Sequence, residues 1–442
     1  MIPRPRMTRT TRTTRTTRTT RTLLALLSIT ALSLTACSDS ANPTAPVSRQ
    51  ANTVSERDEE GIFHRFVSMG TSISMGWQSE GVFAGSQQQA WTSQLATLAS
   101  RSQSMPLVRS PGCRSPFTAP LASGKRLSGE GAATDPGLLS CASNEDGVTL
   151  PAQSVAIAAA STYDAMHATP ETKAGDASYG RLYTRVLPPN TTQLQAALDQ
   201  KPKFISVEFG GNEVLNARSG IAIVGATLTP LSTWKPQYTA LTDAVANDVK
   251  RGILVGLLND VGDFPSFRRG KEIWADRGVM AAAFNIAVNA DCDASENLIF
   301  VPVRIPTAVA TGAAYRARGL GQAPFSCADG GYGRQDFVLT PSEATTVNEL
   351  VAAMNAHISA TAETHGFAYM ALQELYGRAD LKPTYSTIAL MTSQTPYGFA
   401  ISLDGIHPSN AGHAILATAA ARAINARYGT TIPETPAMIA LR

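Results

Sequence analysis

The chain has 442 residues, 43% hydrophobic and 16% charged, which leaves ample apolar material for a core beyond its N-terminal segment. The formal net charge is +3, yet seven arginines and no acid fall in the first 36 residues, so 30 bases face 34 acids in the remainder, a net −4. With neither a basic cluster nor interleaved aromatics there, a nucleic-acid partner is not expected.

From the N-terminus, a basic Thr/Arg stretch from Arg4 to Arg21 leads into an apolar run, Leu23 to Leu34, too short to span a bilayer. It predicts a secretion signal over 1–36. Leu34-Thr35-Ala36-Cys37 looks like a bacterial lipobox, so Cys37 is the expected lipidation site and the protein is expected on the membrane of the cell envelope. Residues 37–60 are polar and lack an apolar period, as a disordered tether would be. The remainder, 61–442, reads as one domain with insertions near 106–150 and 262–336.

Phe66 to Met69 reads as a short buried strand, and Gly70-Thr71-Ser72 follows at once, so that Ser72 would sit on a tight turn at a strand end. Taken alone, a Gly-x-Ser tripeptide is more often an ordinary turn. Four cysteines remain beside Cys37, an even number in an exported chain, and local pairing gives Cys113–Cys141 and Cys292–Cys327 as the simplest of three connectivities. The first pair closes a loop that is a candidate wall of the substrate pocket.

Further apolar runs predict strands at Val155 to Ala159, Phe204 to Phe209, Ile253 to Leu258 and Phe367 to Leu372. Helices are expected over Ala90 to Leu98, Leu194 to Leu198, Ala240 to Val249, Ser342 to Ala362 and Ala411 to Ala426. Alternating strands and helices imply a parallel sheet covered on both faces. The third strand runs into Gly210-Gly211-Asn212-Glu213, where an Asn amide can donate to an oxyanion, although a plain turn fits the same residues. Near the C-terminus, Asp404-Gly405-Ile406-His407-Pro408 sets a carboxylate three residues before an imidazole, a spacing that lets the acid hold one ring nitrogen and leave the other as a base.

In this order, strand-Gly-x-Ser, strand-Gly-x-Asn and Asp-x-x-His-Pro resemble the first, third and fifth blocks of the SGNH hydrolases, also called GDSL lipases and esterases. The resemblance runs from about Phe66 to Ala417. It implies an α/β, flavodoxin-like three-layer sandwich around a five-stranded parallel sheet, with Ser72 as nucleophile, His407 as base and Asp404 as its orienter. It also implies an oxyanion hole from the N–H groups of Ser72 and Ala159 and the amide of Asn212. Ala159 stands where the family has glycine; alanine can serve there wherever φ is negative and would be strained, with a weakened oxyanion hole, were φ positive. Thr71 and Glu213 each stand where the family usually has Asp.

The expected activity is hydrolysis of a small-molecule or lipid ester through an acyl-serine intermediate. No cofactor is implied, and no His-Glu-x-x-His or paired Cys-x-x-Cys spacing marks a metal. A non-catalytic envelope lipoprotein that keeps the fold for binding is the alternative, favoured by the three departures.

Overall fold

Continuous apolar runs suit strands that are covered on both faces, and the computed structural model, which describes residues 61–129, 131 and 141–434, builds its central sheet from four of them. They are β1 (Phe66–Gly70), β2 (Phe204–Glu208), β3 (Gly252–Gly256) and β4 (Ala368–Ala371), all parallel and hydrogen-bonded in that order. The signal segment, Cys37 and the tether lie outside the described residues. Among the described residues no helix is long and apolar enough to cross a membrane.

The expected fifth strand is reduced to a single parallel bridge, Ser68 to Ser154, at the β1 edge. Its backbone still reaches β1, with Val155 N–H donating to Ser68 O at 2.8 Å and Ile157 N–H to Gly70 O at 3.0 Å. The Gln193 side chain inserts beside this pairing and donates to both Gly70 O and Val155 O, while the chain turns away at Ala159. A regular ladder cannot grow past that point. Counting the bridged segment at its place gives the order 2-1-3-4-5, the flavodoxin-like arrangement.

Alternation along each strand feeds two cores. Val67, Met69, Ile205, Val207 and Leu254 pack with α4 (Leu231–Asp248) and α5 (Pro341–His365) on one face. Phe66, Phe204, Ile253 and Val255 pack with α2 (Trp91–Leu98) and α6 (Asn410–Tyr428) on the other. Two short helices, α1 (Ser72–Met75) and α3 (Thr162–His167), start just past β1 and just past the bridged segment that turns at Ala159. Helix α4 starts nine residues before the expected Ala240, because buried Trp234 and Tyr238 hold its first turns despite the helix-interior Pro236.

Both expected disulfides are present, Cys113–Cys141 and Cys292–Cys327. The stretch 262–336 folds into two short helices, the 17-residue helix Val301–Ala317 and small strand pairs; Phe267–Arg269 and, from just beyond it, Val338–Leu339 both flank Leu298–Phe300 in an antiparallel sheet.

Candidate active site

Every main-sheet strand ends at the same cleft. Ser72 follows β1, Asn212 follows β2, Leu257 follows β3 and Leu372 follows β4, and all four line one cavity of about 790 Å³, its open mouth included. This is the carboxyl edge, where open parallel sheets hold ligands.

Ser72 opens α1, two residues past the end of β1. A Cβ at Gly70 would lie 2.9 Å from Glu208 O and from the Glu208 carboxylate, so only glycine allows this close crossing. The buried Glu208, opposite Gly70 in the strand register, accepts hydrogen bonds from Thr71 N–H at 2.9 Å, Thr71 Oγ1 at 2.8 Å and Ser74 N–H at 3.3 Å. Burial pushes its pKa up, while those donors pull it down. Thr71 thus binds a carboxylate that reaches it from the neighbouring strand. Sequence reasoning passed over Glu208; its one signal was an acid inside an otherwise apolar strand.

The geometry at the C-terminal block follows the spacing argument. His407 Nδ1 lies 2.8 Å from Asp404 Oδ2, and His407 Nε2 lies 2.9 Å from Ser72 Oγ. All three residues are buried, with Ser72, the most open, 8% exposed. Asp404 Oδ1 accepts from Ile406 N–H and His407 N–H, and Oδ2 also accepts from Glu80 N–H at 2.9 Å. Burial opposes its charge, but the adjacent imidazole and these donors hold the carboxyl well below the usual carboxylate range.

The Glu80 donor comes from a two-residue hairpin turn in which Ser79 and Glu80 both have positive φ. Ser79 N–H donates to Ser402 Oγ, and Leu403 N–H donates to Ser79 Oγ. The disulfide-closed segment braces this turn from outside. Phe117 N–H donates to Ser79 O at 2.8 Å, Arg114 lies 3.3 Å from the Glu80 carboxylate, and Cys113 bridges to Val82. The loop closed by Cys113–Cys141 was expected in the pocket wall; none of its described residues lines the cleft, and part of it contacts the Ser79–Glu80 turn that holds Asp404.

Three donors were expected around Ser72; Asn212 lines the cleft with it, whereas Ala159 is exposed and is not among the residues that line it. The N–H groups of Ser72 and Ala159 make no hydrogen bond among the described residues. Asn212 Nδ2 spends one hydrogen on Ala160 O at 2.7 Å and keeps the other. Gly210, with φ of +115°, makes the sharp strand exit that carries Asn212 to the cleft. Glu213 is buried and accepts from Thr162 N–H at 2.7 Å, which ties the turn after β2 to the first residue of α3. Ala159 has a φ of +64°, so this position does use the left-handed region and alanine is strained there. Ala159→Gly should raise unfolding stability in urea by about 1 kcal/mol, whereas an unchanged midpoint would show that the strain costs nothing.

Most of the cleft wall is carbon. Val214, Leu257, Val261, Phe264, Val347 and Tyr376 face it, drawn from the strand ends, α5 and the segment before residue 268.

His413 lies behind the site, fully buried on α6. Its Nδ1 accepts the N–H of Trp91, the first residue of α2, and Trp91 Nε1 donates to Ser74 Oγ. Burial first, and the nearby His407 second, push the His413 pKa down to about 3. A folded pKa below the unfolded value means that the unfolded chain takes up a proton first on acidification. Stability is therefore full above about pH 6.5 and falls by on the order of 1.4 kcal/mol per unit towards pH 3. Urea unfolding at pH 7 and pH 4 should show a smaller loss for His413→Gln than for the wild type; equal losses would contradict the assignment.

A family model described as GDSL-like Lipase/Acylhydrolase matches residues 66–420. No curated protein matches the chain. Among solved structures, an alpha/beta hydrolase enzyme from the metagenome of Lake Arreo, Spain, is similar at 12% identity and a TM-score of 0.33, over 81% of this chain and 94% of that one. An acetylxylan esterase from Geobacillus stearothermophilus is similar at 14% identity and a TM-score of 0.32, over 81% and 93%.

Proposed function

Since the chain belongs to the GDSL-like lipase and acylhydrolase family and is a carboxylic ester hydrolase, we propose that Ser72, His407 and Asp404 form its catalytic triad. The observation that carries this reading is the unbroken line from Ser72 Oγ through both nitrogens of His407 to Asp404 Oδ2, at 2.9 and 2.8 Å. Ser72 Oγ attacks the ester carbonyl carbon as its proton passes to His407 Nε2. The tetrahedral oxyanion is held by the N–H groups of Ser72 and Ala159 and by the free hydrogen of Asn212 Nδ2. His407 then protonates the departing alcohol, leaving an acyl-serine. Water, deprotonated by His407, attacks that ester and releases the acid.

Asp404 keeps Nδ1 protonated and Nε2 free to accept. Asn212→Ala should lower kcat by about 10²-fold or more with a smaller effect on KM, because its amide matters most when charge develops on oxygen. A change in KM alone would make Asn212 a substrate-binding residue.

The substrate on this reading is an ester with an apolar acyl chain, which the carbon-walled cleft would take. Turnover of p-nitrophenyl esters from acetate to decanoate tests it, with kcat/KM expected to rise with chain length before levelling off. A folded protein that turns over none of them would favour the non-catalytic binding role. The envelope location is part of the same proposal and rests on Leu34-Thr35-Ala36-Cys37 alone. Two or more acyl chains on Cys37 would hold the protein on a membrane. Cys37→Ser should then move the protein to the soluble fraction or block its processing.

A further inference from the structure

Arg218 is a charge that the proposed chemistry does not use. It stands in the short turn Leu215–Ser219, just past Asn212, and lines the same cleft as Ser72 and His407. It is half-buried, and it has no ion-pair or hydrogen-bond partner among the described residues.

Arg218 acts electrostatically on Tyr179, and the Arg114 and Glu80 charges beside that ring are engaged with each other. Arg114 meets Glu80 at 3.3 Å and donates to Tyr179 Oη at 2.6 Å. Glu208, the acid in the cleft wall, is taken up by Thr71 and Ser74. A guanidinium beside an apolar cleft loses hydration and gains nothing in return until an anion arrives. An apolar acyl chain carries no charge, which leaves the alcohol half of the ester to supply the anion.

We propose that Arg218 binds an oxyanion on the alcohol moiety, so that the substrates are amphiphilic esters with an apolar acyl chain and a phosphate-bearing alcohol. This rests on the esterase reading given above and names the substrate class of that same site. The planar fork of arginine matches two phosphate oxygens at once, which a lysine ammonium does not.

The test compares 1-octanoylglycerol with 1-octanoylglycerol 3-phosphate, both kept monomeric, in the wild-type protein and in Arg218→Gln and Arg218→Lys. The wild type should favour the phosphate ester in kcat/KM. That ratio should fall about tenfold or more in Arg218→Gln, fall less in Arg218→Lys, and shrink with added salt in the wild type. Octanoylcholine, cationic at its alcohol, should be the poorest of the three substrates in the wild type. Hydrolysis of the neutral ester with the same ratio in wild type and Arg218→Gln would overturn the proposal alone, placing the Arg218 stem in the cleft wall and its charge in solvent. If no ester is turned over, the esterase reading fails and the proposal falls with it.

Discussion

Ser72→Ala is expected to lower kcat for ester hydrolysis by about 10⁴-fold or more while leaving the fold intact. The lost atom is Oγ alone, 2.9 Å from His407 Nε2. Among the described residues no other hydrogen bond uses that hydroxyl, and the turn is held through Thr71 and Ser74 on Glu208. Circular dichroism and the urea midpoint should therefore match the wild type. Activity within tenfold of wild type in a folded Ser72→Ala protein would remove the nucleophile from the account.

Asp404→Asn should come next, with kcat down by on the order of 10⁴-fold. Both carboxylate oxygens act as acceptors: Oδ1 from Ile406 N–H, His407 N–H and Ser402 Oγ, and Oδ2 from Glu80 N–H and the His407 ring. An amide has only one oxygen. If that oxygen stays with the Ile406 and His407 N–H groups, the NH₂ loses the Glu80 N–H bond, faces His407 Nδ1 and selects the tautomer whose Nε2 carries the proton, which cannot accept from Ser72. In the opposite orientation the NH₂ meets two backbone N–H groups, and the turn loses stability as well. Either way the rate falls, and the urea midpoint tells the two apart. A kcat within a few-fold of wild type would show that Asp404 does not set the tautomer.

What could be read in the sequence was whatever is local. Asp404 and His407 are three residues apart, so their contact is a property of one turn, and it is present. Ser72 and Asn212 each follow a strand directly, and their separate turns gain meaning only through a shared carboxyl edge. Glu208 and Thr71 are 137 residues apart and meet only because β1 and β2 pair in register. No spacing rule reports that.

The turn at Ser79 and Glu80 carries no glycine or asparagine, the usual residues for positive φ, so its role in holding Asp404 was equally hidden. The strand expected at Val155 to Ala159 is apolar enough for one, yet its length in the sheet is decided by Gln193 and by the turn at Ala159. Sequence alone left the sign of φ at Ala159 open. The cleft is the least local feature of all, since its walls come from four strand ends and a distant helix.

The central claim is that Ser72 is an activated nucleophile. A fluorophosphonate probe reacts with such a serine without any knowledge of the substrate, and peptide mapping of the labelled protein locates the adduct. One equivalent bound to the peptide containing Ser72, and none after Ser72→Ala, is the result expected from a hydroxyl 2.9 Å from the His407 base. An adduct on another residue, or none in the folded wild-type protein, would contradict it.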